Sequence, residues 1–329
     1  MRLLVLGGTG FVGGAVVTEA VRRGWPVTVL NRGLHGTVPD GVSFVHGDRT
    51  RPDALDGLGG TWDVVLDTWD GAPRAVLDSA RALEGRTPCY IYVSSRSVYQ
   101  EPVDLGVDES WPAVPASPSA DDGSYPELKA GAERAVTEVF GDRGLLARAG
   151  LILGPGEDIG RLPWWLGRIA RGGPVLAPGP ADLPLQYIDA RDLAAWLLDQ
   201  AGPRTGGPVN VVSRTGHTTM GALLAACVAT TGSDAALRWL DPAPILDAGV
   251  IPWNDLPIWI PPGHEYRWLH EADVSRAYAT GLRCRPVEET VEDTWGWLRA
   301  VGGVPARAGR PARIAVGLDP DREAALLRA

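Results

Sequence analysis

Lysine is almost missing from this 329-residue chain. Of 31 basic residues one, Lys129, is a lysine and the others are arginine. Arginine serves any ordinary surface role, so a single position that keeps a compact ammonium draws attention. Cysteine is scarce as well. Cys89, Cys227 and Cys284 lie far apart with no Cys-x-x-Cys spacing, which argues against a disulfide framework and a zinc site. The five histidines sit at no metal-ligand interval, so no metal is expected. No apolar run reaches membrane-spanning length, so no membrane association is expected. Met1-Arg2 leads into Leu3-Leu4-Val5-Leu6, too short for a secretory core. A reducing cytoplasm is the expected compartment. Positive charge is also in deficit. A net charge of −9 argues against general nucleic-acid binding and leaves a small-molecule substrate as the expected partner.

What is present is an alternation of apolar runs and amphipathic stretches. Strands are expected at Leu3–Leu6, Val27–Leu30, Val42–Val45, Asp63–Asp67, Cys89–Ser94 and Leu145–Leu153. Helices fall at Phe11–Arg23, Pro73–Leu83 and from Ser124 to Phe140, the last opened by a Ser-Tyr-Pro-Glu capping box. Near-continuous Val, Leu and Ile strands separated by helices predict an α/β fold, a doubly wound parallel (Rossmann) sheet. After Gly154 prolines, glycines and tryptophans dominate and predict a smaller, irregular C-terminal substrate-binding lobe. The expected division is a dinucleotide-binding domain over 1–153, with returns to it near 186–213. The lobe then takes 154–185 and 214–300, and a linker and terminal helix take 301–329.

Four segments carry chemistry. Gly7-Gly8-Thr9-Gly10-Phe11-Val12-Gly13 follows the first strand and opens a helix. Gly7 allows the tight turn, Gly10 the approach of a pyrophosphate and Gly13 close helix packing, while the helix N-terminus favours phosphate. About twenty residues on, Asn31-Arg32 stands where a carboxylate would hold the ribose hydroxyl of NAD. An arginine there pairs with a 2′-phosphate, so NADP is expected, with NAD the alternative. In Tyr125-Pro126-Glu127-Leu128-Lys129 the phenol and ammonium stand one helical turn apart, where the ammonium favours phenolate. Ser95, at the fifth strand's end in SSRSVY, is the expected substrate-facing hydroxyl, with Ser94 its competitor. Trp164 and Trp165 are the better candidates among the lobe tryptophans for lining a substrate site.

Taken together, GGTGFVG, SSRSVY, YPELK, and ARAGLILGPG followed by LQYIDARDLA resemble the extended short-chain dehydrogenase/reductase family. The same group is called the NAD-dependent epimerase/dehydratase family, and the resemblance covers about Met1 to Leu298. It implies Tyr125 as catalytic base, and Lys129 as the group that lowers its pKa and holds the nicotinamide ribose. Ser95 becomes the hydroxyl residue and Asp48 the contact to the adenine amine. Arg148 and Gly154-Pro155 match the strand and turn beneath the nicotinamide, and Gln186-Tyr187 sits where relatives approach substrate. The implied function is hydride transfer between a nicotinamide and the hydroxyl or keto carbon of a small polar metabolite. The alternatives are a nucleotide-sugar epimerase with retained cofactor and a non-catalytic cofactor-sensing or RNA-associated relative. A homodimer through the Pro73–Leu83 and Tyr125–Phe140 helices is also implied. Two departures stand out. Asp67-Thr68-Trp69-Asp70 replaces the small residues usual after the fourth strand, and Arg96-Ser97 replaces the acidic pair that performs dehydration.

Overall fold

In the first strand of the computed structural model, the pleat sends alternate residues to opposite sides. Leu3 and Val5 join one buried cluster, Leu4 and Leu6 another. The structure describes residues 1–34, 36–51, 53–202, 206–304 and 316–328. Seven strands share one sheet: β1 Leu3–Leu6, β2 Val27–Asn31, β3 Ser43–His46, β4 Val64–Asp67, β5 Tyr90–Ser95, β6 Gly144–Ala149 and β7 Gly207–Val211. Their order is β7-β6-β5-β4-β1-β2-β3, and every pairing is parallel. The order reverses beside β1, where a doubly wound sheet opens its ligand crevice.

The longer helices are α1 Phe11–Arg22, α2 Pro73–Leu83, α3 Tyr125–Phe140, α4 Arg161–Ala170, α5 Ala190–Asp199, α6 Met220–Thr231, α7 Val287–Val301 and α8 Pro320–Leu326. Val16, Val17 and Ala20 of α1 and Leu193, Trp196 and Leu197 of α5 cover one sheet face. Val76, Leu77 and Ala80 of α2 and Ala132, Ala135 and Val136 of α3 cover the other. The expected capping box opens α3, with Glu127 accepting from the Ser124 amide at 2.8 Å.

A separate core lies beyond the sheet. Leu162, Trp165 and Leu166 of α4, Leu223 and Leu224 of α6 and Val291 of α7 enclose Ile258 and Trp259. The terminal helix α8 docks here through Glu323, which pairs with Arg168 and accepts from the Leu176 amide.

Two expectations about the chain's course need correction. β6 stops at Ala149, not Leu153; at Gly150, which follows, a Cβ would meet Val212 and the Arg96 guanidinium at under 3 Å. Ile152–Leu153 instead pairs with Ile188–Asp189 outside the sheet. Of the stretch 186–213, the segment that joins the sheet is β7; Ala190–Asp199 is the helix α5. The expected linker at 305–313 lies outside the described residues. Among the described residues, no helix is long and apolar enough to cross a membrane.

Candidate active site

The glycine turn between β1 and α1 is fixed by contact. Gly7 has φ +127°, and a Cβ there would stand 2.1 Å from Thr68 Oγ1. A Cβ on Gly13 would reach the Gly8 amide nitrogen at 2.6 Å, so α1 rests directly on the turn. Gly10 differs: where its Cβ would be, nothing lies within 4 Å. No side chain caps α1, so its first N–H groups keep their donors for another acceptor. Thr9, Gly10, Phe11, Val12 and Gly13 line a cavity of about 1570 Å³. Open space over uncapped helix donors suits the phosphates of a dinucleotide.

The same cavity is walled by Ser95, Tyr125 and Lys129, at the C-terminal ends of the strands. Tyr125 opens α3 and is 46% exposed, whereas Lys129, one turn on, is 4% exposed. The Lys129 ammonium donates to the carbonyls of Trp69 at 2.8 Å and Val93 at 2.9 Å, and stands 4.8 Å from the Tyr92 ring centroid. An ammonium has three donors. Two grip backbone, which leaves one for a ligand. A guanidinium would not fit this two-carbonyl seat as a compact ion does.

Ser95 ends β5. Its Oγ lies 3.1 Å from Ser97 Oγ, to which it donates, and accepts from the Ser97 amide at 3.1 Å. Ser94 is committed elsewhere, donating to Glu133 Oε1 at 2.6 Å beside the buried Arg148–Glu133 pair. Ser95 is therefore the better placed hydroxyl of the two.

The residues expected to select the cofactor sit differently. The Asn31 amide donates to the Gly7 carbonyl at 2.8 Å and Thr9 Oγ1 at 3.1 Å, bracing the turn. Asp48 accepts from the Thr50 amide and hydroxyl, and these bonds, with smaller help from Arg32 and Arg51, hold its carboxyl below the usual range. Gly7, Asn31, Arg32 and Asp48 do not border the cavity itself.

Other expected residues face inward. Trp165 is fully buried and donates to the Pro257 carbonyl at 2.8 Å, and neither it nor Trp164 reaches the cavity. Gln186 is buried among Arg96, Ser213 and Ala272, and Tyr187 is core. Arg148 turns to Glu133, whereas Pro155 does border the cavity.

Among the other walls, Thr68, Asp70 and Arg96 belong to the two segments that depart from the family pattern, whereas Trp253, Leu269 and Trp297 were not expected to line the cavity. Thr68 and Asp70 had a usable signal, since they follow the end of a parallel strand. The unusual Asp67-Thr68-Trp69-Asp70 segment has a physical account. Asp67 is fully buried, pairs with Arg49 at 2.6 and 2.7 Å, and accepts from the Tyr90 hydroxyl at 2.6 Å. It also accepts from the Trp69 amide at 2.9 Å, fixing the loop whose carbonyl grips Lys129.

Comparison with known proteins agrees with this layout. The model of the NAD dependent epimerase/dehydratase family matches residues 3–68, the part that builds the glycine turn. A UDP-glucose 4-epimerase of Halalkalibacterium halodurans is 27% identical over 140 residues. That match covers 36% of this chain and 42% of the relative, so it spans less than half of either. Among solved structures, the UDP-glucose 4-epimerase of Thermus thermophilus in complex with NAD has a TM-score of 0.64 at 21% identity. It covers 91% of this chain and 99% of its own. The UDP-glucose 4-epimerase of Thermotoga maritima with UDP-glucose has a TM-score of 0.63 at 19% identity, covering 92% and 99%. At such identities the structures establish a shared fold. The resemblance first read from the motifs thus holds: residues 3–68 match the NAD dependent epimerase/dehydratase family, and the chain shares the fold of these NAD-binding epimerases.

Proposed function

We propose that this chain is a nicotinamide-dependent enzyme acting at a hydroxyl or keto carbon of a small polar metabolite. The observation that carries this reading is one cavity bordered at one end by the uncapped start of α1 and at the other by Ser95, Tyr125 and Lys129. The start of α1 would hold the pyrophosphate, and Lys129 would offer its remaining donor to the nicotinamide ribose. When bound, the nicotinamide supplies the hydride acceptor or donor. Tyr125 exchanges the proton of the substrate oxygen, and Ser95 turns its hydroxyl from Ser97 to donate a hydrogen bond to that oxygen. The cofactor we favour is NADP, because no carboxylate occupies the Asn31-Arg32 position, with NAD the alternative. The proposed setting is cytoplasmic, with a homodimer formed through α2 and α3.

Epimerisation with a retained cofactor is the second reading, favoured by the curated relative's own activity. It uses the same side chains. The absorbance of the purified protein near the reduced-nicotinamide band separates the two. Cofactor that survives gel filtration and turns over without net redox change supports epimerisation, whereas stoichiometric NADPH consumption supports reduction. Tyr125→Phe is the common test. Dinucleotide affinity should persist while turnover falls by about 10²–10⁴-fold. Full activity in that variant would refute both readings.

A further inference from the structure

The segment Asp67-Thr68-Trp69-Asp70, out of pattern for the family, reaches Lys129 through one carbonyl. Of the two carbonyls that seat the ammonium, that of Val93 belongs to β5 and is fixed by the sheet, whereas that of Trp69 stands in the loop after β4. A loop carbonyl holds an ammonium in one place only if the loop is itself held. Every polar group of Trp69 is engaged. Its amide donates to Asp67 Oδ1 and its indole to the Ala72 carbonyl, both at 2.9 Å, and its carbonyl also accepts from the Tyr92 hydroxyl at 2.9 Å. The Arg49 guanidinium lies over the indole, 5.2 Å from the ring centroid.

The brace continues to α2. Both oxygens of Asp67 are bound by the Arg49 fork, and Arg49 is anchored by Ser79 Oγ at 2.9 Å and the Ala75 carbonyl at 3.1 Å. A buried ion pair gains little over apolar residues of similar volume. What Asp67 supplies and leucine could not is an acceptor aimed at the Trp69 amide.

We propose that Arg49 and Asp67 are positioning residues: they fix the Trp69 carbonyl and through it set where the Lys129 ammonium presents its third donor. Neither borders the cavity, and both act through Lys129. That this donor meets a nicotinamide ribose rests on the proposed function. The glycine turn is held separately, because the amide and hydroxyl of Thr68 donate to the Leu6 carbonyl at 3.1 and 3.2 Å.

Because Lys129 is the only lysine, protein grown on isotope-labelled lysine gives one set of lysine signals by nuclear magnetic resonance, displaced by the Tyr92 ring 4.8 Å away. Two paired variants are compared, each removing both buried charges. Arg49→Met with Asp67→Leu deletes the acceptor, and Arg49→Met with Asp67→Asn keeps an oxygen for the Trp69 amide. The Leu pair should move the lysine signals toward those of an exposed lysine. It should also weaken NADP⁺ binding about tenfold, the range of a hydrogen bond to a charged group. Affinity for 2′,5′-ADP, which lacks the nicotinamide ribose, should stay (NAD⁺ and ADP replace this couple where NAD is the cofactor taken). The Asn pair should keep both the signals and the affinity. Unmoved lysine signals in the folded Leu pair, or equal losses for NADP⁺ and 2′,5′-ADP, overturn the proposal. So does an Asn pair that behaves as the Leu pair does. If the Leu pair fails to fold, Tyr90→Phe decides, since it takes one hydrogen bond from the Asp67 carboxylate. The lysine signals should then move the same way by less, and unmoved signals overturn the proposal. A protein that binds no dinucleotide sinks the hydride-transfer reading instead, and the lysine signals of the free protein then decide the proposal alone.

Discussion

In the sheet half, neighbouring residues of one strand reach two different cores, and four-residue, mostly apolar runs define β1 and β4. In the C-terminal lobe the connections are individual and distant. Trp165 donates to the Pro257 carbonyl, Trp259 to the Gly179 carbonyl at 3.0 Å, and Gln186 bridges Ser213 and Ala272. Apart from its buried ion pairs and the Lys129 seat, the sheet half is held by periodic burial, which tolerates exchange of one apolar residue for another. The lobe depends on particular donors meeting particular carbonyls, where an unmet carbonyl is costly. That difference shows where substitutions will be tolerated.

The largest expected effect tests this contrast. Trp259→Ala should destabilise the protein by about 3–5 kcal/mol, and Trp259→Phe by about 1–3 kcal/mol, because the Gly179 carbonyl loses its donor. Leu66→Met, in the middle of β4, should cost under about 1.5 kcal/mol. Chemical denaturation measures all three; a Trp259→Phe protein as stable as Leu66→Met would break the comparison.

Next come two glycines of one turn. Gly13→Ala drives a methyl into the Gly8 amide and should lower Tm by several degrees, on the order of 1–3 kcal/mol. Gly10→Ala places its methyl in open space and should leave Tm nearly unchanged while weakening dinucleotide binding. Loss of stability in both, with cofactor affinity kept in Gly10→Ala, would remove Gly10 from the phosphate site.

A smaller effect depends on pH. Glu157 accepts from the amides of Arg161 and Leu162 at the start of α4, and burial pushes its carboxyl up to about 7. Because the native state holds that proton more tightly than the unfolded chain, this group's contribution declines as pH rises from about 4.5 toward about 7. The stability of Glu157→Gln relative to the unmodified protein should therefore rise across that window, as followed by Tm against pH. A difference that is flat with pH would contradict the shift.

The smallest effect concerns Arg32. Arg32→Ala should narrow the preference for NADPH over NADH by about tenfold or less, since the side chain does not border the cavity. Equal affinities for the two dinucleotides in the unmodified protein would refute the NADP assignment.

The same contrast explains what could be read in advance. The glycine turn, the capping box at Ser124 and the Tyr125–Lys129 spacing are local, so their geometry is written within a few residues of sequence. The places of most strands followed from apolar runs. Arg96, Trp253 and Leu269 could not be read this way. Arg96 lies more than a hundred residues before the other two, and no periodicity links them. Asp67 was noticed as out of pattern, but its partner Arg49 lies 18 residues earlier in a loop of ordinary composition. Gln186 and the tryptophans at 164 and 165 misled for a related reason. Their residue types suit a binding wall, yet the polar groups of Gln186 and Trp165 are consumed within the fold, and Trp164 packs edge-on against Trp165.

A crystal structure of the protein with NADP⁺ tests the central claim most directly. The account expects the pyrophosphate against the Gly10–Val12 amides and the Lys129 ammonium on the nicotinamide ribose. The Tyr125 hydroxyl and Ser95 Oγ should converge on a point beside the reactive ring carbon. A dinucleotide bound outside this crevice, or a Tyr125 phenol turned away from the ring, would contradict it.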